Sequence, residues 1–203
     1  MKKILVAALA LFIAAGAFAQ ENPLTFGVQA GLNISQFSAG KYDGEKGKAS
    51  DMLTGFYIGG HANYSLGEYF GIQGELKFSM QGGKNSEEDS GDKYETKISL
   101  GYINIPILFE VKPVENFSIF VGPQIGFNAT KGASLKVNGA TAPDPDVEVK
   151  ALDLAAVVGV QYAIGGKYLL SARYNVGFTS VSKDSDVSGL ENRVIQIGVG
   201  YKF

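Results

Sequence analysis

Apolar residues take every second place in run after run from Leu24 to Phe203, and this constrains the fold more than any other feature. The last run is the plainest: Ile195, Ile197, Val199, Tyr201 and Phe203 share one parity, and Gln196, Gly198, Gly200 and Lys202 the other. A period of two marks a strand with two unlike faces. Such a strand at a sheet edge invites aggregation unless another strand covers it.

Seven further runs of the same kind precede it, within 24–35, 54–65, 70–81, 96–111, 117–128, 149–162 and 168–179. In the fourth, Ile98 and Leu100 share a parity, but Ile103, Ile105, Ile107, Phe109 and Val111 take the other. A β-bulge near Gly101 would reset the facing, and Pro106 withholds one ladder hydrogen bond. Segments 37–52, 82–95, 129–148 and 180–191 are polar and read as long loops, while the other connections are short turns. Long and short connections therefore alternate. The fold class expected is all-β: an eight-stranded antiparallel up-and-down transmembrane β-barrel, with both termini on the short-turn rim.

The N-terminus is set apart from this pattern. Lys2 and Lys3, the apolar run Ile4 to Ala15, and Ala17-Phe18-Ala19 have the layout of a cleavable signal peptide, with cleavage between Ala19 and Gln20. The apolar run is shorter than the roughly 20 residues a membrane helix requires. Residues 1–19 are thus the expected signal peptide and 20–203 the expected barrel domain. The sequence has no cysteine, so neither a lipid anchor nor a disulfide scaffold is available. Its formal charge of −2 becomes more negative once Lys2 and Lys3 are removed, which argues against nucleic acid as a partner.

Alternation alone leaves open which face is outside. A soluble ligand-binding barrel would bury the apolar face, and a membrane barrel would give it to lipid. Three features favour outer-membrane lipid as the apolar face's partner. The polar parity is rich in Gly, Ser, Asn and Gln rather than in charge. Aromatic residues such as Phe26, Tyr64, Phe70, Phe127, Tyr168 and Phe178 gather toward strand ends, as in interfacial girdles. The runs are also long enough to cross the hydrocarbon when tilted.

The export signal, the eight runs, the phrase Gly101-Tyr102-Ile103-Asn104-Ile105-Pro106-Ile107-Leu108 and the ending Gly200-Tyr201-Lys202-Phe203 carry a resemblance. The chain resembles the small outer-membrane β-barrel (porin-like) family of OmpX- and OmpA-type eight-stranded barrels, over essentially its whole mature length. The resemblance implies location in the outer membrane of a Gram-negative bacterium. It also implies that Phe203, with Tyr201, is the signal read by the barrel-assembly machinery. Relatives often carry an acidic residue before the proline, where this sequence has Asn104, so that interior charge is absent or moved to Glu110.

The inward parity carries His61, Glu75, Lys77, Glu110, Asp153, Arg173 and Lys202. Eight strands enclose a space that side chains fill, and buried charges there must pair. Glu75 and Arg173 are expected in one interior ion-pair network together with Lys77; a narrow ion path is the functional alternative. His61, the only histidine, has Gly59 and Asn63 as same-face neighbours. No serine stands beside it and no G-x-S-x-G elbow exists, so it reads as a lumen histidine rather than as part of a lipid-modifying enzyme. The acidic groups Glu87, Glu88, Asp89 and Asp92, and Asp144, Asp146 and Glu148, lack the spacing of a calcium loop and read as solvated charge. No cofactor is implied. The expectation is a monomeric, non-catalytic barrel with a structural or surface-interaction role, its loops meeting an unknown extracellular partner. A small-solute channel is the alternative.

Overall fold

The structure is a computed structural model and describes residues 23–42, 45–89, 91–142, 148–183 and 187–203. The expected cleavage site, Ala19 and Gln20, lies outside the described residues. Eight strands build the barrel: β1 (Leu24–Phe37), β2 (Asp51–Ser65), β3 (Phe70–Asp89), β4 (Asp92–Val114), β5 (Phe117–Val137), β6 (Leu152–Ile164), β7 (Tyr168–Gly177) and β8 (Asn192–Lys202). Consecutive strands pair antiparallel, and β1 closes the ring against β8, from Gly27 opposite Lys202 to Phe37 opposite Asn192. Full closure leaves no sheet edge through the barrel wall.

The alternation sorts the side chains as a barrel requires. On the inward parity of β3, Gln73, Glu75, Lys77, Ser79 and Gln81 are all buried. Outward, Leu32, Ile197 and Val199 are more than half exposed and continue a band of aliphatic residues around the wall. Rings meet at both ends of this band: Phe70 stacks on Phe109 with centroids 5.7 Å apart, Tyr168 meets Tyr201 at 5.5 Å, and Phe56 meets Phe78 at 6.0 Å.

The structure corrects three sequence expectations. Segments 82–95 and 129–148 are not simply loops. Ladders continue into both, with Gly82 opposite Ser99 up to Asp89 opposite Asp92, and in the second from Thr130 opposite Gly101 to Val137 opposite Tyr94. These ladders project beyond the apolar band, where both faces are wet and the apolar–polar contrast that betrays a strand disappears. Beyond β5, Asn138 (φ 52°) and Gly139 (φ 83°) form the tight turn into Ala140–Ala142, and two positive φ values in succession suit an Asn-Gly pair.

The second correction concerns β4. Leu100, Tyr102, Asn104, Leu108 and Glu110 all point inward on one unbroken parity. The register shift expected near Gly101 lies on the partner: Gly101 pairs with Thr130 and Tyr102 with Asn128, so Ala129 is the extra residue and the bulge belongs to β5. The third is that β6 begins at Leu152, and Val149 forms only an isolated bridge with Ser182. Pro106 acts as its chemistry requires. The β3–β4 pairing runs from Gly74 opposite Ile107 to Lys77 opposite Asn104, and the positions between them are unpaired.

Candidate functional site: the polar lumen and its two ends

Glu75 is the centre of the lumen. Arg173 on β7 donates from Nη1 to Oε1 at 2.6 Å and to Oε2 at 2.7 Å. Lys77 Nζ lies 3.1 Å from Oε2. Gln29 on β1 donates to Oε2 at 2.9 Å, and Gln73 on β3 to Oε1 at 2.6 Å. These groups come from three separated parts of the chain, and the Glu75 and Lys77 side chains are 0% exposed. Burial of this kind is tolerated only where the charges are paired and their remaining capacity is satisfied, and here five donor contacts surround one carboxylate.

The network extends in both directions. Toward the long-loop rim, Lys77 donates to Gln196 Oε1 at 3.1 Å, Gln196 to Asn33 Oδ1 at 2.8 Å, and Asn33 to Ser79 Oγ at 2.9 Å. Toward the short-turn rim, Asn63 bridges Gln73 at 3.3 Å and Glu110 at 2.8 Å. Ser118 donates to Glu110 at 2.6 Å, and Lys112 lies 3.4 Å from the same carboxylate.

Room for the long side chains comes from the opposite strand. Arg173 pairs in register with Gly159, where a Cβ would stand 2.5 Å from Arg173 Cγ. Lys77 pairs with Gly59 in the same way, and a Cβ there would stand 2.7 Å from Lys77 Cγ. His61 lies over Gly27. The charged stems thus lie flat on glycine, with Lys77 Nζ 5.6 Å from the Tyr57 ring centre and Arg173 Cζ 5.5 Å from that of Phe120.

The two ends of the lumen differ. Near the short-turn rim a cavity of about 300 Å³ is lined by His61, Gln73, Glu110, Lys112, Gln161 and Lys202, among others. At the long-loop end Phe37, Leu100, Tyr102 and Val181 form a buried apolar cluster, with Ile98, Val149 and Leu190 packed against it. Just beneath, Asp153 accepts from Thr179 at 2.8 Å and from Asn192 at 3.4 Å.

Of the charged residues singled out from sequence, Glu75, Lys77 and Arg173 therefore form one cluster, and Glu110 is joined to it through Asn63 and Gln73. Asp153 stands apart in the upper lumen. Lys202 lines the lower cavity without joining the cluster's ion pairs, and His61 neighbours Glu75 in register while its Nδ1 has no partner. Gln29, Gln73, Asn33, Asn63 and Gln196 were not individually legible. Their polar parity was visible, but their partners depend on the register. Glu87 and Glu88 lie exposed on the projecting β3, and Asp144 and Asp146 lie outside the described residues.

The sequence pattern of the outer membrane protein beta-barrel domain matches residues 4–203. The chain belongs to that family. Its apolar band is accordingly the lipid-facing surface of an outer-membrane barrel of Gram-negative type, and its eight strands are transmembrane. Among solved structures, Neisserial surface protein A superposes with a TM-score of 0.53 at 18% identity, covering 88% of this chain and 97% of that one. The attachment invasion locus protein Ail of Yersinia pestis gives a TM-score of 0.48 at 19% identity, over 88% of this chain and 98% of that one. OprG of Pseudomonas aeruginosa gives 0.45 at 14% identity, over 88% and 95%. No curated protein sequence matches the chain.

Proposed function

We propose that this family member is a non-catalytic, monomeric outer-membrane barrel with a structural or surface-interaction role, its lumen packed rather than open. The observation that carries this reading is the Glu75–Arg173–Lys77 cluster, whose side chains are at most 1% exposed and stand across the middle of the barrel. The apolar cluster of Phe37, Leu100, Tyr102 and Val181 is a second obstruction above it. The projecting ladders of β3, β4 and β5 then offer the surface that an extracellular partner would meet. Both termini lie on the periplasmic side in this reading. Residues 1–19 are removed as a signal peptide between Ala19 and Gln20, residues 20–203 form the barrel, and Tyr201 and Phe203 serve as the signal for the assembly machinery.

Planar-bilayer recording tests the packed lumen. The expected trace shows no steps of porin size in the wild-type barrel, and steps of that size would overturn the reading. One observation favours a narrow channel as the second reading: the lower cavity reaches up to Gln73 and His61, beside the central cluster. In that case the wild-type barrel would itself show small, regular openings well below porin size, and Glu75→Ala would enlarge them.

A further inference from the structure

Seven of the buried side-chain atoms without a hydrogen-bond partner belong to four residues: Asn104 Nδ2 and Oδ1, Gln124 Oε1, Arg173 Nε and Nη2, and Asn175 Nδ2 and Oδ1. The register gathers them. Gln124 on β5 pairs with Pro106 on β4, one inward step from Asn104. It pairs also with Ala155 on β6, and Ala155 and Val157 pair with Gly177 and Asn175 on β7. Arg173 is the next inward residue below Asn175. All four side chains therefore face one region of the lumen, between the Glu75 cluster and the Tyr102 end. Each is at most 3% exposed.

We propose that this region binds a single small inorganic anion of the halide class, held by the Nε/Nη2 edge of Arg173 with Asn175 and Asn104 as amide donors. Nη1 of Arg173 is occupied by Glu75, whereas the edge formed by Nε and Nη2 is the fork that suits an anion. A guanidinium has only donors, so the group facing that edge must accept. Charge points the same way: in the Glu75 layer Lys77 and Arg173 share one carboxylate, an excess of one positive charge, while the carboxylate above that layer, Asp153, is engaged by Thr179 and Asn192. A water molecule would satisfy the donors and leave that charge uncompensated. The asparagine amides turn to present either oxygen or nitrogen, so both can donate. Size is limited by the walls, since Val157, Phe120 and Leu108 are fully buried beside the layer and the paths in are closed by the Glu75 cluster and the apolar cap. A monatomic anion fits these limits better than an organic one.

The test uses the folded barrel crystallised from bromide, together with urea unfolding in chloride and in gluconate at equal ionic strength. The expected result is one anomalous peak within hydrogen-bonding reach of Arg173 Nε and Asn175, and an unfolding midpoint that rises with chloride but not with gluconate. In Asn175→Asp a built-in carboxylate takes the edge, so both the peak and the chloride dependence disappear. No anomalous peak at that position, a midpoint indifferent to the anion, or a peak retained in Asn175→Asp would each overturn the proposal. Should Asn175→Asp fail to fold, the two wild-type measurements decide.

Discussion

Replacing Glu75 by glutamine keeps the shape of the side chain and removes the carboxylate that Lys77 and Arg173 share. Two unit charges about 3 Å apart interact by about 5 kcal/mol at an effective dielectric of about 20. Glu75 has Arg173 at 2.6 Å and Lys77 at 3.1 Å, with no solvent at either contact. After relaxation, removing one partner of a buried pair costs about 3–5 kcal/mol, chiefly because the other charge stays buried. Glu75→Gln is expected in that range. Arg173→Met should cost less, because Lys77 still answers Glu75. The double variant should then fall short of the sum of the singles by about 1.5–3 kcal/mol. The chain has no tryptophan, so unfolding in urea from detergent micelles is best followed by far-ultraviolet circular dichroism. Singles that add to within about 0.5 kcal/mol would show that the three residues do not act as one unit, and would refute the reasoning.

Two further outcomes follow from the wall of the barrel. Gly159→Ala should lower stability by about 1–3 kcal/mol, because its Cβ would stand 2.5 Å from Arg173 Cγ and 2.8 Å from the Ala172 carbonyl oxygen. Gly74→Ala is the control: a Cβ there meets nothing within 4 Å, and its unfolding midpoint should barely move. On the outer face, Val158→Arg, at a side chain 49% exposed near the middle of the apolar band, should cost about 2–4 kcal/mol in refolding into lipid vesicles. An unchanged folded fraction would mean that this face does not meet hydrocarbon.

The transmembrane part of the fold was legible because lipid on one side and packed polar groups on the other write a period of two into every strand. The pairing of β1 with β8 followed from it. Above the apolar band that contrast ends, so the upper ladders of β3, β4 and β5 read as loops. Leu100 shows the limit most clearly. An apolar residue on the polar parity suggests a slip in facing, whereas it belongs to the apolar cluster that caps the lumen. The glycines opposite Arg173, Lys77 and His61 were visible as small residues on the polar parity, without their partners. Their role exists between two strands, and no single strand states it.

Closure of the ring by Gly27 against Lys202 has a consequence for how the molecule is made. Every other barrel-wall pairing joins strands that follow one another in the chain, while this one joins residues separated by almost its whole length. Loop-closure entropy therefore favours this seam forming last, after seven hairpin-like steps have produced a curved sheet with two bare edges. Gln29 stands on one side of the seam and Gln196 on the other, and both contact the central cluster. The interior is complete only when the seam is sewn, which makes the barrel cooperative in time as well as in energy: a chain stalled before the eighth strand would have both an open edge and an unfinished core.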